Sequence, residues 1–313
     1  MVAIGTWNLE NLFRPGEDSG RQTDAEYDAK LDALAATIAE HSPDVLAVKE
    51  VGDPEALEDL ASRPEGSWNT ALADPDGRGI RVGFLAQSAL TSLEQIIDFP
   101  ETLAPVQVDD EGSTITAMGR PALTARIRKA GTNIDLVSAH LKSKLLTYPS
   151  GRFSPRDEGE RARYAVYALH RRAAEAAAVR AGVDDLLDGD GRQNAVIVAG
   201  DLNDEPQAAT TQILLDPGGS EFGSGGYERE DQGDAARMWN LAPLIDEEQR
   251  FTRVYRSRGE LIDHLMVSHA LTEAVESVTT GGVDVSSVAD SPGARDSGEA
   301  SDHRPVVATF ELG

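Results

Sequence analysis

Strand-like and helix-like patterns alternate along the first third of the chain. Residues 2–8 and 45–51 are short, mainly apolar stretches of the kind that form strands. Residues 24–40 repeat their apolar positions with a helical period, and Asp24 is predicted to cap this helix. Pro54 is predicted to open a second helix, because proline is favoured in the first helical turn.

The middle of the chain is predicted to be sheet, followed by a long helix. Pro- and Gly-rich turns separate further predicted strands, at residues 80–85, 96–99, 122–128 and 134–140. From Arg156 onward, apolar residues recur at helical spacings of three and four. This helix is predicted to end at Gly182 or at the turn formed by residues 188–191.

A buried strand, another helix and two loops are predicted next. Residues 195–199 are apolar throughout, as in strands that are covered on both faces. Pro206 is predicted to begin a helix. Residues 217–226 and 281–301 are rich in Gly, Ser or Asp, a composition typical of surface loops.

The end of the chain has a hairpin pattern and a last strand. Predicted strands at residues 251–255 and 261–267 bracket a Ser-Arg-Gly turn, which predicts that the two strands pair with each other. A final strand is predicted at residues 304–310. Because the sequence has no internal repeat and no clean linker, we expect residues 1–313 to form one domain.

The composition limits the chemistry that is available to the protein. With 29 Lys and Arg against 54 Asp and Glu, the formal charge is −25 at pH 7. The hydrophobic share of 40% is enough for a core, and charged residues mixed through the chain argue against disorder. The absence of cysteine excludes a disulfide framework, a thiolate zinc site and a cysteine nucleophile. Catalysis therefore has to use oxygen or imidazole groups.

The start of the chain and its hydropathy bear on location. Residues 1–12 lack the basic and apolar regions of a signal peptide, so we expect a cytoplasmic protein unless a leader has been removed. No stretch approaches the roughly 18 apolar residues that a membrane-spanning helix needs. Nothing in the sequence indicates an obligate protein partner.

Basic residues cluster in one segment of this acidic chain. A strongly negative protein repels phosphate backbones, so a phosphate site must be locally basic or charged by a metal ion. Residues 142–172 contain eight Lys or Arg against three Asp or Glu. If the strand at 134–140 continued, His140, Lys142 and Lys144 would share one face. We then expect the segment to form a basic lip over a phosphate-binding site next to this strand. An ordinary solvated helix face is the alternative.

Polar residues interrupt or end several of the apolar strands, where open sheets place their sites and where unpaired polar groups are costly. Each alone is typical of a turn or a solvated strand end, but the set is hard to attribute to chance: Asn8, Glu10, Glu50, His140, Asp201, Asn203, Asp263, Asp302 and His303. The two-residue strand period places Asn8 and Glu10 on one face and points Lys49 away from Glu50. Glu10 and Glu50 together would offer oxygen ligands to a hard cation.

The order and wording of these motifs resemble the endonuclease/exonuclease/phosphatase superfamily of metal-dependent phosphoesterases. The matching segments are TWNLENL (6–12), VKEV (48–51), SAHL (138–141), GDLN (200–203), IDH (262–264) and SDH (301–303). The resemblance implies an α/β fold, specifically a four-layer α/β/β/α sandwich in which two packed mixed β-sheets are flanked by helices.

The resemblance also implies a role for each residue. The implied metal ligands, which would bind Mg²⁺ or Mn²⁺, are Glu10, Glu50 and Asp302. The residues implied to hold phosphate oxygens are Asn8, His140 and Asn203. Asp201 would orient or deprotonate the attacking water, and His303, fixed by Asp263, would stabilise the charge developing on the phosphoryl group. Phosphoryl transfer needs such positioning and charge more than covalent chemistry.

The implied activity is a nuclease-like hydrolysis of phosphodiesters by in-line attack of water, with no covalent intermediate. The implied partner is a nucleic acid or another phosphodiester substrate. The alternatives are a phosphatase or phospholipase-type esterase on a small or lipid phosphate, and a catalytically silent scaffold of the same fold. The presence of Glu50, Asp201 and His303 argues against the scaffold, and Lys49 departs from the family pattern, which usually has Gln there.

Overall fold

The computed structural model describes residues 1–16, 23–152, 154–215, 221–229, 231–281, 285, 287 and 300–313. The strands of this part, numbered in chain order, are β1 Val2–Leu12, β2 Val45–Val51, β3 Asn69–Leu72, β4 Arg81–Ala86, β5 Thr91–Asp98, β6 Val106–Gln107, β7 Thr114–Ile115, β8 Ala117–Lys129, β9 Thr132–His140, β10 Ala195–Asp201, β11 Met238–Asn240, β12 Arg253–Tyr255, β13 Arg258–Glu260, β14 Asp263–Ser268, β15 Val275–Thr280 and β16 Val306–Phe310. The α-helices are α1 Asp24–His41, α2 Pro54–Ala61, α3 Glu158–Leu187, α4 Ala209–Leu215 and α5 His269–Thr272.

Most of these strands form two six-stranded mixed sheets. The first sheet has the order β15-β16-β1-β2-β4-β3, and the second has the order β11-β14-β10-β9-β8-β5. Each sheet contains one parallel pair, β1 with β2 in the first and β9 with β10 in the second, and its other pairs are antiparallel. Two short ribbons, β6 with β7 and β12 with β13, lie outside the large sheets.

The two large sheets pack face to face, and the period of two along each strand determines which side chains fill the space between them. In β2, Val45 and Ala47 belong to the core between the sheets, whereas Leu46 and Val48 belong to the core on the outer face. Ile197 of β10 meets the inner core from the opposite sheet. Both faces of the central strands are therefore buried, which explains why they are apolar almost throughout.

Helices cover the two outer faces. Leu31 of α1 and Leu57 of α2 pack with Trp7 on the first sheet, while Val179 and Val183 of α3 pack on the second sheet. These side chains are at most 1% exposed, and burying a large aliphatic side chain contributes about 1.5–3 kcal/mol. The resulting α/β/β/α sandwich confirms the predicted fold.

Local chemistry explains where the main helices begin and end. Thr23, and not Asp24, caps α1, because its side chain accepts from Glu26 N while the Glu26 carboxylate accepts from Thr23 N. The long helix passes through Gly182, where a Cβ would overlap the side chain of Ile96, and ends at Leu187. The predicted start of α4 at Pro206 was three residues early, since the helix begins at Ala209.

The predicted hairpin was wrong in its pairing. β12 pairs with β13, because Arg256 and Ser257 both take a left-handed backbone and close a two-residue turn. The apolar strand β14 lies instead between β10 and β11 in the second sheet. The predicted loops at 217–226 and 281–301 lie partly outside the described residues. In the described part of the chain, no helix combines the length and the apolar character required to span a bilayer.

Candidate active site

Polar side chains replace apolar ones where the inner faces of five strands reach one end of the sandwich. The side chains are Asn8 of β1, Lys49 of β2, His140 of β9, Asp201 of β10 and Asp263 of β14, and each is at most 7% exposed. Asn8 pairs with Lys49 in the first sheet, and Asp201 pairs with both His140 and Asp263 in the second. The strand register therefore brings together residues that are distant in sequence.

Asn8 joins the two sheets. Its amide nitrogen donates to the Asp201 carboxylate at 3.0 Å and to the Glu50 carboxylate at 3.1 Å. The amide oxygen of the Asn8 side chain accepts from Glu10 N at 2.9 Å, and the backbone carbonyl of Asn8 accepts from the hydroxyl of Ser301 at 2.6 Å. The three contacts of the side chain fix the orientation of the Asn8 amide, and the Ser301 contact holds the backbone of Asn8.

The backbone takes a left-handed conformation at four non-glycine residues of this region. The values of φ are 50° at Glu10, 49° at Asn11, 58° at Glu50 and 54° at Asn203. Such conformations cost of order 1–3 kcal/mol each and cluster at functional sites. They also interrupt the strand period that predicted a shared face for Asn8 and Glu10.

Asp201 is the most connected acid of the site. Its carboxylate accepts from Asn203 N at 3.0 Å as well as from Asn8, and His140 Nε2 lies 3.4 Å away. Burial and the negative charge of Asp263 raise the pKa of Asp201 to about 7. Asp201 can therefore take up and release a proton near neutral pH.

His303 and Asp263 form a buried ion pair. His303 Nδ1 donates to Asp263 Oδ2 at 2.6 Å, and the backbone around His303 is held by Trp7 Nε1 and the Ser301 hydroxyl. Burial disfavours the imidazolium, but the charges of Asp263, Asp302 and Asp201 outweigh burial and raise the pKa of His303 to about 10. His303 is thus positively charged at neutral pH, and the His303 charge holds the pKa of Asp263 below its ordinary value despite burial.

His140 and Asn203 complete the second-sheet side of the site. Burial, with the nearby charge of Arg120, holds the pKa of His140 well below 6.5, so its imidazole is neutral. No hydrogen-bond partner for His140 Nδ1 lies among the described residues. The Asn203 amide donates to the carbonyl of Leu141 at 3.0 Å, which fixes the loop after β10 against the loop after β9.

The three predicted metal ligands do not form one group whose ligand atoms all lie within 4.8 Å of one another. The Glu50 carboxylate accepts from Asn8 and from Asn11 N, Glu10 lies 3.8 Å from Lys30 Nζ, and Asp302 lies 3.8 Å from His303 Nε2. In the described part of the chain, Asp201, Asp263 and His303 do form such a group of three.

The donor set fits a hard divalent cation. Burial is the largest cause of the raised pKa of Asp201, and the negative charges of Asp263 and Glu50 raise this pKa further. A bound cation would offset this excess negative charge, and carboxylate oxygens without thiolates are the ligands that Mg²⁺ and Mn²⁺ prefer. Glu50 is partly exposed at the mouth of the site, where a hydrated ion can reach it.

The family profile described as Endonuclease/Exonuclease/phosphatase family matches residues 5–303. The chain belongs to this family. Members of the endonuclease/exonuclease/phosphatase family hydrolyse phosphoester bonds, so this protein is a phosphoesterase of the family. No curated protein sequence matches the chain.

Solved structures of the family share the whole fold. Truncated Caenorhabditis elegans TDP2 is 16% identical with a TM-score of 0.58, and the match covers 99% of this chain and 98% of that one. The mannosyl-6-phosphatase of Bacteroides thetaiotaomicron VPI-5482 is 13% identical with a TM-score of 0.55 over 100% of both chains. The human Nocturnin catalytic domain with bound sulfate is 14% identical with a TM-score of 0.53, over 99% of this chain and 94% of that one.

Lys49 is the functional candidate that the sequence reasoning misplaced. Glu50 was predicted to face the site and Lys49 to point away, yet Lys49 lies on the inner face, fully buried, and donates to Thr6 Oγ1 and to Ala47 O at 3.1 Å. Lys49 follows Val45 and Ala47 at the strand period of two, and this alternation indicates that Lys49 faces the space between the sheets. Glu50 enters the site because its backbone is left-handed.

Lys49 should make the stability of the protein depend on pH above neutrality. Burial lowers the pKa of Lys49 to about 7, although Asp263 and Asp201 oppose this change. Between about pH 7 and the ordinary lysine pKa the unfolded chain binds the extra proton, so the free energy of unfolding should rise by about 1.4 kcal/mol for each pH unit. Urea unfolding at pH 7 and pH 10 should show a larger rise for the wild type than for Lys49→Met. Equal changes in the two proteins would show that Lys49 is not desolvated as the structure indicates.

The basic segment 142–172 does not continue the His140 face. β9 ends at His140, and Lys142 folds back to donate to the carbonyl of Leu145 at 2.6 Å. Six further basic residues of the segment form ion pairs among the described residues: Lys144 and Arg172 with Asp204, Arg152 with Glu160, Arg161 with Glu158, Arg163 with Asp110, and Arg171 with Glu175. Most of the charge of the predicted lip is therefore matched within the protein.

Proposed function

We propose that this phosphoesterase hydrolyses phosphodiesters with the help of Mg²⁺ or Mn²⁺, by in-line attack of water and without a covalent intermediate. The observation that carries the proposal is the meeting of Asp201, Asn8 and the Asp263–His303 pair at one end of the inter-sheet core. These groups supply a base, a donor and a fixed positive charge within one buried site.

The chain's own residues divide the work of hydrolysis. Asp201, with a pKa near neutrality, would hold the attacking water and accept its proton. His303, kept protonated by Asp263, would face the negative charge that builds on the phosphoryl oxygens. His140 would bind an oxygen that is not displaced, Asn8 would orient the Asp201 carboxylate, and Asn203 would keep the β10 loop in place.

Glu50 would bind the divalent cation. Asp302 and Glu10 would approach as further ligands or through water. The cation would supply positive charge to the phosphate oxygens when bound. Phosphoryl transfer of this kind depends on positioning and on charge stabilisation, which this arrangement provides.

A phosphomonoesterase or a phospholipase-type esterase is the second candidate. The observation in its favour is the internal pairing of the basic segment, which removes much of the wide cationic footprint that a duplex nuclease needs. The total charge of −25 acts in the same direction, because it opposes long-range attraction of a polyanion.

A substrate panel tests the proposal. Purified protein should hydrolyse bis(p-nitrophenyl) phosphate and single-stranded DNA or RNA with Mg²⁺ or Mn²⁺, and p-nitrophenyl phosphate and duplex DNA much more slowly. The Asp201→Asn variant, purified in parallel, controls for contaminating nucleases. Faster turnover of the phosphomonoester would favour the second candidate. No turnover of any member, with Ca²⁺ and EDTA also tried, would favour the silent scaffold.

A further inference from the structure

A short hairpin beside the site concentrates arginine and aromatic side chains. β12 and β13 carry Arg253, Arg256 and Arg258, and the guanidinium carbons of Arg253 and Arg256 lie 5.7 and 5.3 Å from the ring centre of Tyr255. Arg304 lies 4.0 Å over the ring of Phe251 at the base of the hairpin. Residues 251–260 together with Arg304 are termed the arginine hairpin.

Two hydrogen bonds join the arginine hairpin to Asp263 and to Arg304, the residue after His303. The hydroxyl of Thr252 accepts from Asp263 N at 3.2 Å, and the carbonyl of Thr252 accepts from Arg304 N at 2.7 Å. Asp263 and His303 are therefore each attached, directly or through the next residue, to Thr252, which comes just before β12. This end of the arginine hairpin therefore lies beside the Asp263–His303 pair, where the phosphoester is proposed to be cleaved.

Arg253 lies at the boundary between the hairpin and the site. Its Nε is 3.9 Å from Asp302 Oδ2, which is too long for a hydrogen bond, and no other acceptor for this buried nitrogen lies among the described residues. Asp302 is in turn 3.8 Å from His303 Nε2. A buried guanidinium nitrogen without an acceptor is suited to an anionic oxygen of a ligand.

The turn of the hairpin is held in a costly conformation. Arg256 and Ser257 have φ values of 48° and 63°, in a two-residue turn where Asn and Gly are the usual residues. Arg256 within this turn and Arg258 directly after it are both exposed. Strain that is retained in an exposed turn is typical of a segment whose side chains have a function.

The chemistry of the arginine hairpin selects its ligand. Arginine binds phosphate through a planar set of donors, and partly exposed aromatic rings stack on bases, a combination typical of surfaces that bind single-stranded nucleic acid. Residues 251–260 contain a single acid, Glu260, in a chain of net charge −25. We infer that the arginine hairpin binds the nucleotides that flank the scissile phosphodiester of a single-stranded oligonucleotide. This inference rests on the proposed phosphodiesterase activity.

A pair of charge-matched variants tests the inference. Arg256→Ala/Arg258→Ala removes two cations from the hairpin, and Arg161→Ala/Arg163→Ala removes two cations from α3 as a control. The ratio of kcat/KM for a single-stranded oligonucleotide to that for bis(p-nitrophenyl) phosphate should fall about tenfold in the hairpin variant and stay constant in the control. The log–log dependence on salt should flatten by about 0.7 for each lost phosphate contact.

Binding provides a second readout that does not require turnover. On an Asp201→Asn background, a fluorescent single-stranded oligonucleotide should bind about tenfold more weakly after the hairpin substitutions, and an equal length of duplex should compete poorly. An unchanged ratio and unchanged binding would overturn the inference, as would tighter binding of the duplex. Failure of the proposed function is distinguishable, because it would abolish turnover of the minimal diester while the binding measurement still reports on the hairpin.

Discussion

Hydrolysis is expected to stop when the divalent cation is removed with EDTA and to return when Mg²⁺ or Mn²⁺ is added. Without the cation, the buried carboxylates of Asp201 and Asp263 and the carboxylate of Glu50 leave the phosphate facing excess negative charge. A cation contributes several kcal/mol to stabilising a phosphoryl transition state, so the loss should be about 10³-fold or more. The measurement is kcat for bis(p-nitrophenyl) phosphate before and after metal removal.

A substitution separates the role of the metal from a general effect of EDTA. Glu50→Gln should raise the Mg²⁺ concentration that gives half-maximal activity, because it removes a negative ligand at the mouth of the site. Glu55→Gln, on the exposed side of α2, is the matched control. Full activity in EDTA, with metal analysis showing metal-free protein, would contradict the metal requirement. An unchanged Mg²⁺ titration in Glu50→Gln would remove Glu50 from the ligand set.

Loss of Asp201 or His303 should be almost as severe. Asp201→Asn removes the proposed base, which typically costs about 10²–10⁴-fold in kcat. His303→Ala removes the fixed positive charge opposite the phosphoryl oxygens, and loss of one such group typically costs about 10²–10³-fold. Both effects should appear in kcat, because the interactions are strongest in the transition state.

Matched controls and a folding check make this prediction decisive. Asp98→Asn and His170→Ala change exposed residues of the same types and should keep full activity. Circular dichroism and urea unfolding should show that each site variant is folded. A folded Asp201→Asn or His303→Ala protein with near wild-type kcat would rule out the role assigned to that residue.

The strand-end residues could be predicted from the sequence because their signal is local. Asp201, His140 and Asp263 each end or begin an apolar strand on its inward face, and the sheet register brings them together. The alternation of the apolar strands also indicated which faces are buried. The family pattern then related them to one site, which spacing alone could not do.

The errors arose where backbone conformation or distant partners decide the outcome. The left-handed backbone at Glu50 breaks the strand period, so Glu50 and Lys49 both reach the site although the period predicted opposite directions, and no residue type in that segment signals such a conformation. The basic segment was predicted to form a lip from its own count of charges. Two of its arginines pair with acids that are remote in sequence, which that count could not show: Asp110 pairs with Arg163, and Asp204 pairs with Arg172. The turn at Arg256 and Ser257 lacks the glycine that normally identifies such a hairpin.

The hydrogen bond between Asn8 and Asp201 crosses from one sheet to the other, so the proposed site depends on both sheets. The alignment of amide and carboxylate is set by the thickness of the core that separates the sheets. Close-packed interiors transmit changes of one methylene, and misplacement of reacting groups by a fraction of an ångström slows turnover. If the proposed site is correct, the volumes of small inner residues such as Ala47 and Ala199 should affect turnover, although neither residue need contact the substrate.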